Sequence, residues 1–297
     1  MPEFDILIVN YNSTQYLRKC LQSTYDGMNG LSANVFVIDN GSTDNVDIVK
    51  EAFPDVKLLK LSKNLGYAGA VNQCLPRCTA PFVVVMNPDI SVSPGCFQSV
   101  LQYMCENEDV AIVGPEVIDC NGSVQGSARA FPTPLTALFG RSSFLTKVLP
   151  DNRISRHNIL TGSAVANQPL DVDWVSGAFM AVRKSAINKV GPMDDRFFLY
   201  WEDADWCKRM SLAGWRVVYY PGASIVHYSG CSSKNNFLKS VVEFHKSAFR
   251  LFCKYRRGGR MAHSLLDPLV FWGLSLRLYM VLILEGCSRM HQKTKSF

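Results

Sequence analysis

The sequence predicts an α/β fold with a mostly parallel central sheet. In the first half of the chain, short runs rich in Val, Ile, Leu and Phe alternate with segments of helical periodicity. Strands that alternate with helices are typical of parallel sheets that carry helices on both faces. Hydrophobic residues make up 47% and charged residues 19% of the 297 residues, which excludes a disordered chain. Ligands of such sheets bind beyond the carboxyl ends of the strands.

Four strands and four helices are expected in the first hundred residues. The strand candidates are Asp5–Tyr11, Asn34–Asn40, Lys57–Ser62 and Pro81–Met86. Five residues at helical spacing follow the first strand: Leu17, Cys20, Leu21, Thr24 and Met28. Further helices are expected from Ser42 to Phe53, from Gly66 to Cys74, and from Ser93-Pro94, where a capping serine precedes a proline.

The second half is less regular at first and then returns to strands and helices. Residues 131–169 are rich in proline and polar residues, and we expect a mobile loop or a helix-loop excursion there. Strand-like patterning covers 171–182, and a helix from Asp203 to Gly214 is followed by a strand from Trp215 to Tyr220. Lys234–Arg256 has the periodicity of a long helix.

The segment Pro268–Leu284 is almost wholly apolar, and Arg277 is its only charge. As a helix it would be roughly 25 Å long, shorter than the roughly 30 Å hydrocarbon core of a bilayer. We expect a helix at the membrane interface, and a buried helix packed on the domain is the alternative. Residues 1–230 are predicted to form one domain with two halves, 1–120 and 121–230. Residues 231–297 are predicted to form a helical, membrane-associating extension.

Charge and cysteine usage narrow the class of protein further. The formal net charge of +6 suits anionic substrates or an anionic membrane surface, and we expect no nucleic-acid partner. The 10 cysteines lack metal-site spacing, which favours reduced, mostly buried thiols in the cytosol. Met1-Pro2-Glu3 leads directly into the first strand, so no signal peptide is expected. Homo-oligomerisation is left open.

Polar residues follow the first and second strands. Asp39 ends a buried strand, where its carboxylate can accept a hydrogen bond from a nucleotide base, and Tyr11 can stack on that base. The alternative is that Asp39 and Asn40 only shape a turn. In Lys63–Asn72 the glycines are spaced differently from the dinucleotide fingerprint, which argues against a nicotinamide- or flavin-dependent oxidoreductase. Gly66 at a helix start is instead expected to meet an anion.

The fourth strand ends in Asn87-Pro88-Asp89. A carboxylate just beyond a buried strand is a good ligand for Mg²⁺ or Mn²⁺, which prefer oxygen ligands and bridge to substrate phosphates. A divalent ion there would stabilise a diphosphate leaving group.

Together these loops resemble those of the family-2 glycosyltransferases, whose nucleotide-binding fold is called GT-A. The matching segments are Ile8–Ser13, Val37–Asp44, Lys63–Asn72 and Asn87–Asp89. The resemblance implies donor-nucleotide contacts at Tyr11, Asp39, Asn64, Gly66 and Asn87, and a Mg²⁺ or Mn²⁺ ion at Asp89. The family's metal motif is Asp-x-Asp, and here Asn87 replaces its first aspartate; the Asn-Pro-Asp form resembles the rhamnosyltransferase-like branch.

The second half extends the resemblance. Trp174–Ala178 looks like the strand and turn beside the donor sugar, which implies sugar or acceptor contacts at Trp174, Gly177 and Trp201. The acidic pair Glu202-Asp203 implies a catalytic site with Asp203 as the base; the alternative is that these acids only favour the first turn of a helix. His227 resembles a histidine that joins the metal or contacts the diphosphate, although a lone histidine is more often structural.

The resemblance implies an inverting glycosyltransferase. Its rhamnosyltransferase-like branch implies dTDP-β-L-rhamnose as donor and a lipid-linked saccharide as acceptor in bacterial surface polysaccharide biosynthesis. The enzyme would then lie in the cytoplasm, peripheral on the inner face of the cell membrane. The alternatives are another donor, UDP-galactofuranose or UDP-N-acetylglucosamine, or a non-catalytic nucleotide-sugar-binding protein.

Overall fold

The computed structural model describes residues 1–132, 160, 168–228, 237–256 and 267–283. The chain divides into two compact units. Unit 1 consists of Met1–Phe198 and Glu202–Ser232, and unit 2 consists of Leu199–Trp201 and Ser233–Phe297. These two units do not test the predicted domain boundary at residue 230, which remains a prediction. Most of the irregular segment 131–169 lies outside the described residues.

Four parallel strands form the first part of the central sheet of unit 1. They are β1 (Phe4–Asn10), β2 (Ala33–Asp39), β3 (Lys57–Lys60) and β4 (Phe82–Met86). Their order in the sheet is β3-β2-β1-β4. Every residue of β1 and of β4 is buried, because helices cover both faces of a parallel sheet and the strands become continuous apolar runs. The predicted parallel arrangement is confirmed here.

The remaining strands make the sheet mixed. They are β5 (Ile90–Val92), β6 (Val110–Ile118), β8 (Leu170–Asp171), β10 (Phe179–Arg183) and β11 (Arg216–His227). The order continues β4-β10-β6-β11-β5, with β8 paired to β11. β10 runs antiparallel to both neighbours, whereas β6 and β11 are parallel. Two further strands, β7 (Ala128–Arg129) and β9 (Trp174–Val175), form a separate antiparallel ribbon.

Two predicted strands differ from those observed. The run expected over 171–182 is divided among β8, β9 and β10. The strand expected to end at Tyr220 continues to His227, because pairing with β6 resumes at Ser224 after a register shift. This extension pairs His227 with Ile90 of β5, so it decides where the histidine side chain lies.

Six α-helices are described in unit 1. They are α1 (Thr14–Met28), α2 (Ile48–Ala52), α3 (Gly66–Cys74), α4 (Cys96–Glu106), α5 (Lys184–Val190) and α6 (Glu202–Leu212). α1 buries all five residues that showed helical spacing. The helix expected from Ser42 begins only at Ile48, since the Ser42 Oγ accepts hydrogen bonds from Asn12 N and Asn10 Nδ2 and ties two loops together. The helix expected from Ser93-Pro94 begins at Cys96, after Gly95 with a φ of 78°.

The core of unit 1 lies between the sheet and its helices. Phe97 of α4 contacts Phe4 and Phe179, with ring centroids 5.7 and 5.9 Å apart. All eight cysteines in the described part of the chain are free thiols, and five of them are buried, in agreement with the expected pattern.

Unit 2 contains two described helices, α7 (Phe237–Tyr255) and α8, which spans residues 267–283. Arg256 after α7 forms a salt bridge with Asp267 of α8 at 3.3 Å. Among the described residues, no helix combines the length and the apolar character needed to cross a bilayer. Seven large side chains of α8 are exposed although they are apolar: Leu269, Phe271, Trp272, Leu276, Tyr279, Met280 and Ile283.

Candidate active site

The ends of β1 and β2 lie side by side at the carboxyl edge of the sheet. Asn10 pairs with Asp39 in the strand register, and the Asn40 N–H donates to the Asn10 carbonyl at 2.8 Å. Asp39 is 6% exposed, and its Oδ1 lies 3.4 Å from the Asn10 Nδ2 donor. Tyr11 follows β1 directly and is partly exposed. The structure brings Tyr11 and Asp39 to one edge, and their contact with a nucleotide base remains a prediction.

Asn40 connects this edge to the loop before α3. Its Nδ2 donates to Asn64 Oδ1 at 3.1 Å and to the Gly66 carbonyl at 3.0 Å, and its Oδ1 accepts from Leu65 N at 2.8 Å. In the sequence Asn40 was recognised only as a turn residue. An amide side chain can donate and accept hydrogen bonds at the same time. Asn40 therefore connects its own loop to the loop before α3, which lies about 24 residues further along the chain.

Gly66 has a structural role besides the predicted one. Its N–H donates to Asn64 Oδ1 at 2.8 Å, and its contact with the donor remains a prediction. Gly66 has a φ of +79°, and a Cβ at this position would lie 2.8 Å from the Phe198 Cα. Only glycine tolerates both conditions. Gly66 therefore allows α3 to start against the chain that leads to the acidic pair.

Asp89, directly before β5, lies beside His227 at the end of β11. Asp89 is 4% exposed, and its Oδ1 lies 3.4 Å from His227 Nε2. The Gln125 Nε2 donates to the His227 carbonyl at 3.4 Å, which turns the Gln125 Oε1 towards His227 Nδ1, also at 3.4 Å. With the Gln125 Oε1 as acceptor, Nδ1 is the donor of this contact, and Nε2 faces the Asp89 carboxylate. Gln125 was not singled out in the sequence, and it orients the histidine in the manner of an outer-shell partner of a metal ligand.

This donor set fits a divalent cation. A carboxylate oxygen and an imidazole nitrogen that face each other can share a proton or a metal ion. Within the described residues no group of three His, Cys, Asp or Glu side chains surrounds a metal position. Mg²⁺ and Mn²⁺ sites in phosphate-transferring enzymes commonly use one or two protein ligands and substrate phosphates. Asn87, expected at the donor nucleotide, is partly buried, and its N–H donates to the Ala178 carbonyl at 3.0 Å.

Asp203 lies in the first turn of α6, where two hydrogen bonds fix its carboxylate. Oδ2 accepts from Gly177 N at 2.9 Å, and Oδ1 accepts from Ala204 N at 2.8 Å. A Cβ on Gly177 would lie 3.3 Å from Asp203 Oδ2, closer than nearly all real contacts, so glycine allows the turn to approach the carboxylate. The structure thus brings the predicted residues Gly177 and Asp203 together.

Glu202 and Asp203 form an electrostatically coupled pair. Burial, and then the neighbouring Asp203 charge, raise the pKa of Glu202 well above its ordinary value. Burial also raises the pKa of Asp203, while the N–H donors of Gly177 and Ala204 and the Arg129 charge oppose that rise. Glu202 is 7% exposed, and its Oε2 has no hydrogen-bond partner in the described part of the chain. Both pKa values are raised, but only at Asp203 do Gly177 N–H and a positive charge favour the ionised form, so ionisation is more favourable at Asp203 than at Glu202.

Two further side chains lie at this carboxylate pair without having been predicted from the sequence. The Tyr67 hydroxyl donates to the Gly177 carbonyl at 3.3 Å. Burial and the Glu202, Asp203 and Asp89 carboxylates raise the pKa of Tyr67, so its phenol stays neutral. Arg129 of β7 supplies positive charge to Asp203. No local sequence pattern identifies these two residues as part of the site, because their neighbours come from distant parts of the chain.

Trp174 and Trp201, which were predicted to contact the sugar or the acceptor, contact other side chains and backbone groups of the protein. Trp174 is 9% exposed, its Nε1 donates to the Ala130 carbonyl at 3.0 Å, and the Arg129 guanidinium lies 5.3 Å from its ring centroid. The Trp174 ring is thus buried and packs against the Arg129 guanidinium. Trp201 belongs to unit 2, where its ring lies 5.3 Å from that of Phe244. A contact of either ring with a sugar remains a prediction.

Residues 5–191 match the family described as Glycosyl transferase family 2. The chain belongs to this family. Its relatives include the N-acetylglucosaminyl-diphospho-decaprenol L-rhamnosyltransferase of Mycobacterium tuberculosis, which is 31% identical over 238 residues that cover 76% of each chain. The rhamnosyltransferase WbbL of Escherichia coli K12 is 40% identical over 85 residues, which cover 29% of this chain and 32% of WbbL.

Solved structures of low identity share the fold of this glycosyltransferase. A mannosyltransferase from Pyrobaculum calidifontis, in complex with GDP-Man and Mn²⁺, has a TM-score of 0.58 at 14% identity and covers 97% of this chain and 81% of its own. Residues 1–349 of Staphylococcus aureus TarS have a TM-score of 0.54 at 16% identity, with coverage of 92% and 71%. The predicted GT-A fold and the rhamnosyltransferase-like resemblance are confirmed, and the chain is a glycosyltransferase that transfers hexosyl groups.

Proposed function

We propose that this glycosyltransferase transfers L-rhamnose from dTDP-β-L-rhamnose to a lipid-linked saccharide, with inversion at the anomeric carbon. Support for the donor and the acceptor comes from the Mycobacterium tuberculosis relative, whose name specifies an L-rhamnosyltransferase and a diphospho-decaprenol substrate, and which aligns over 76% of both chains. The Asn87-Pro88-Asp89 motif supports the same branch of the family.

The observation that carries the catalytic part of the proposal is the environment of Asp203. An acceptor hydroxyl becomes a good nucleophile only when a carboxylate within hydrogen-bond reach takes its proton. Asp203 is held by Gly177 N at 2.9 Å and Ala204 N at 2.8 Å, so its orientation is set before substrate binds. Its raised pKa makes it a stronger base than an exposed aspartate.

The reaction is a single displacement. The acceptor oxygen forms a bond to the anomeric carbon on the face opposite the leaving group, and the bond from that carbon to the diphosphate breaks. The acceptor proton passes to Asp203, and dTDP leaves with the electron pair. Inversion of a β-linked donor gives an α-L-rhamnoside.

The other polar residues of unit 1 would hold the donor. Asp39 and Tyr11 lie at the edge where the base would bind, and Asn40 keeps the adjoining loop in place. Asp89 and His227 would hold Mg²⁺ or Mn²⁺, which when bound stabilises negative charge on the diphosphate. Gln125 would keep the Nε2 of His227 turned towards that position.

We also propose that the enzyme acts as a peripheral protein at the inner face of the cell membrane in bacterial surface polysaccharide biosynthesis. A saccharide on a long isoprenoid must be reached at a bilayer. The exposed apolar side chains of α8 in unit 2, among them Trp272 at 69% and Leu269 at 68% exposure, support such a surface.

The test is a donor panel with the full chain and a lipid-linked N-acetylglucosamine acceptor. Nucleoside diphosphate release and product formation are measured with dTDP-rhamnose, UDP-galactofuranose, UDP-N-acetylglucosamine and UDP-galactose. We expect a clear preference for dTDP-rhamnose and an α-anomeric product by NMR.

Two results would contradict the proposal in different ways. Preference for any UDP-sugar would refute the rhamnose assignment, and a β-anomeric product would refute inversion. Nucleotide-sugar binding without turnover for every donor would favour the non-catalytic alternative. Asp203→Asn serves as the matched inactive control.

A further inference from the structure

Unit 2 contains a cavity between α7 and α8. Its volume is about 520 Å³, within the range of roughly 300–1,000 Å³ that is typical of ligand sites. It lies entirely within unit 2 and shares no residue with the carboxylates of unit 1. Neither the proposed sugar-transfer site nor the membrane-facing side chains account for it.

Most of the cavity wall is apolar. Val242 and Phe249 contribute from α7, and Phe271, Leu274 and Leu278 contribute from α8. The α7 residues that line it recur at positions 242, 245, 246, 249, 250 and 253, the spacing of one helical stripe. A long aliphatic chain could lie against the apolar side chains of this wall, where a sugar would lack hydrogen-bond partners.

The polar part of the wall is basic. Lys246 and Arg250 line the cavity, and Lys246 also forms a salt bridge with Glu243 at 2.9 Å. His245 lines it as well, and its Nδ1 donates to the Val241 carbonyl at 2.8 Å. Burial, together with the Arg277 charge, lowers the pKa of His245, so the positive charge of the wall comes from the lysine and the arginine. The cavity therefore suits an aliphatic chain that carries an anionic group.

The cavity is continuous with the exposed apolar side of α8. Phe271 lines the cavity and is also 49% exposed. Its neighbour Trp272 is 69% exposed, and the two rings contact each other with centroids 6.0 Å apart. A chain embedded in a bilayer that meets this side of α8 would enter the cavity without crossing a polar surface.

We propose that this cavity binds the isoprenoid diphosphate part of the lipid-linked acceptor. The apolar part of the wall takes the first isoprene units, and Lys246 and Arg250 face the diphosphate. The inference rests on the proposed function, since it assigns a site to the acceptor of that reaction. It places recognition of the lipid on unit 2, apart from the residues that handle the donor.

The experiment measures binding directly, without turnover. The full chain in detergent micelles is titrated against a fluorescently labelled geranyl diphosphate, and fluorescence anisotropy is recorded. Ser275 lies on the cavity wall, so Ser275→Trp should fill the cavity and weaken binding by at least about tenfold, because the methylene groups of the probe lose their contacts. Cys253→Phe fills the same cavity from α7 and should act alike.

The matched control adds the same indole to the same helix outside the cavity. A Cβ at Gly273 would meet nothing within 4 Å, so Gly273→Trp should bind the probe as the wild type does. Unlabelled farnesyl diphosphate should displace the probe, whereas inorganic diphosphate and phosphatidylglycerol vesicles should not. Circular dichroism and thermal melting identify variants that fail to fold.

Four results would overturn the inference: no binding by the wild type, wild-type binding by both folded cavity-filling variants, equal weakening by Gly273→Trp, or displacement by phosphatidylglycerol as effective as by farnesyl diphosphate. Failure of the donor panel with probe binding intact would refute the proposed function alone. Transfer to a lipid-linked acceptor without probe binding would refute this inference alone.

Discussion

The two units differ in which groups they withdraw from water. Unit 1 buries acids: Asp89 is 4%, Glu202 7% and Asp205 0% exposed. Unit 2 exposes apolar side chains of α8, with Trp272 at 69% and Tyr279 at 64%. Each arrangement is unfavourable by itself, since buried charge loses hydration and exposed apolar surface orders water.

This difference indicates which groups of each unit need a binding partner outside the chain. Asp205 needs none outside the chain, because it pairs with Arg209 at 2.9 Å. Glu202 and Asp203 keep raised pKa values, which suits proton transfer to and from a substrate. The exposed face of α8 is an apolar patch of the kind that marks an interaction surface. The predictions below test whether chemistry belongs to unit 1 and contact with lipid to unit 2.

The largest effect is expected at the acidic pair. Asp203→Asn should lower kcat by about 10²–10⁴-fold because an amide cannot accept the acceptor proton. Glu202→Gln should lower it by about tenfold or less, since the raised pKa of Glu202 favours its neutral form and the amide is neutral too. Steady-state kinetics of both variants, with donor affinity measured separately, check the pair. Similar losses in both variants would mean that the base is not Asp203 alone.

A smaller effect is expected from substitutions at the proposed metal site. Chelation should stop transfer, and Mg²⁺ or Mn²⁺ should restore it. Asp89→Ala should weaken metal and donor binding together by about a hundredfold, and Gln125→Ala by about tenfold, because outer-shell partners typically contribute 10–100-fold. Calorimetry of dTDP binding with and without Mn²⁺ gives both constants. Full activity in excess chelator would contradict the proposed metal.

The exposed leucines of the two units offer a matched comparison. Leu276 of α8 is 60% exposed and Leu212 of α6 is 68% exposed. Leu276→Ser should weaken binding to anionic vesicles by roughly tenfold, because the proposed contact with the bilayer would lose an apolar side chain. Leu212→Ser should leave vesicle binding unchanged. Equal effects in a sedimentation assay would show that unit 2 has no special affinity for lipid.

The smallest effect concerns the pH dependence of unit 1. Asp203 acts as a base only when deprotonated, so kcat/KM falls as the pH drops through its raised pKa. The Arg129 charge opposes that rise. Arg129→Gln should therefore move the acid limb of the profile to higher pH by about one unit or less, whereas Arg129→Lys should keep it near the wild-type position. An unchanged or lowered limb in Arg129→Gln would contradict the assigned role of this charge.

Much of the fold follows from local sequence patterns. β1 and β4 are continuous apolar runs, and their limits were predicted to within one residue at each end. α1 buries every residue of its predicted stripe. The acidic start of α6 was also predicted, because carboxylates favour the positive end of a helix. Where the start of a helix depended on a single side chain, as at Ser42, the prediction was wrong because that side chain binds another loop.

The sequence by itself determined which residue types are available for chemistry, namely the carboxylates and amides that follow the strands. Tertiary structure alone decided which of them meet. The antiparallel insertion of β10 and the length of β11 bring Gly177 to Asp203 and His227 to Asp89. Tyr67 and Arg129 join them from segments distant along the chain. Periodicity reports only the neighbours within a helix or strand, whereas these contacts depend on strand order and register, which packing of the whole sheet determines.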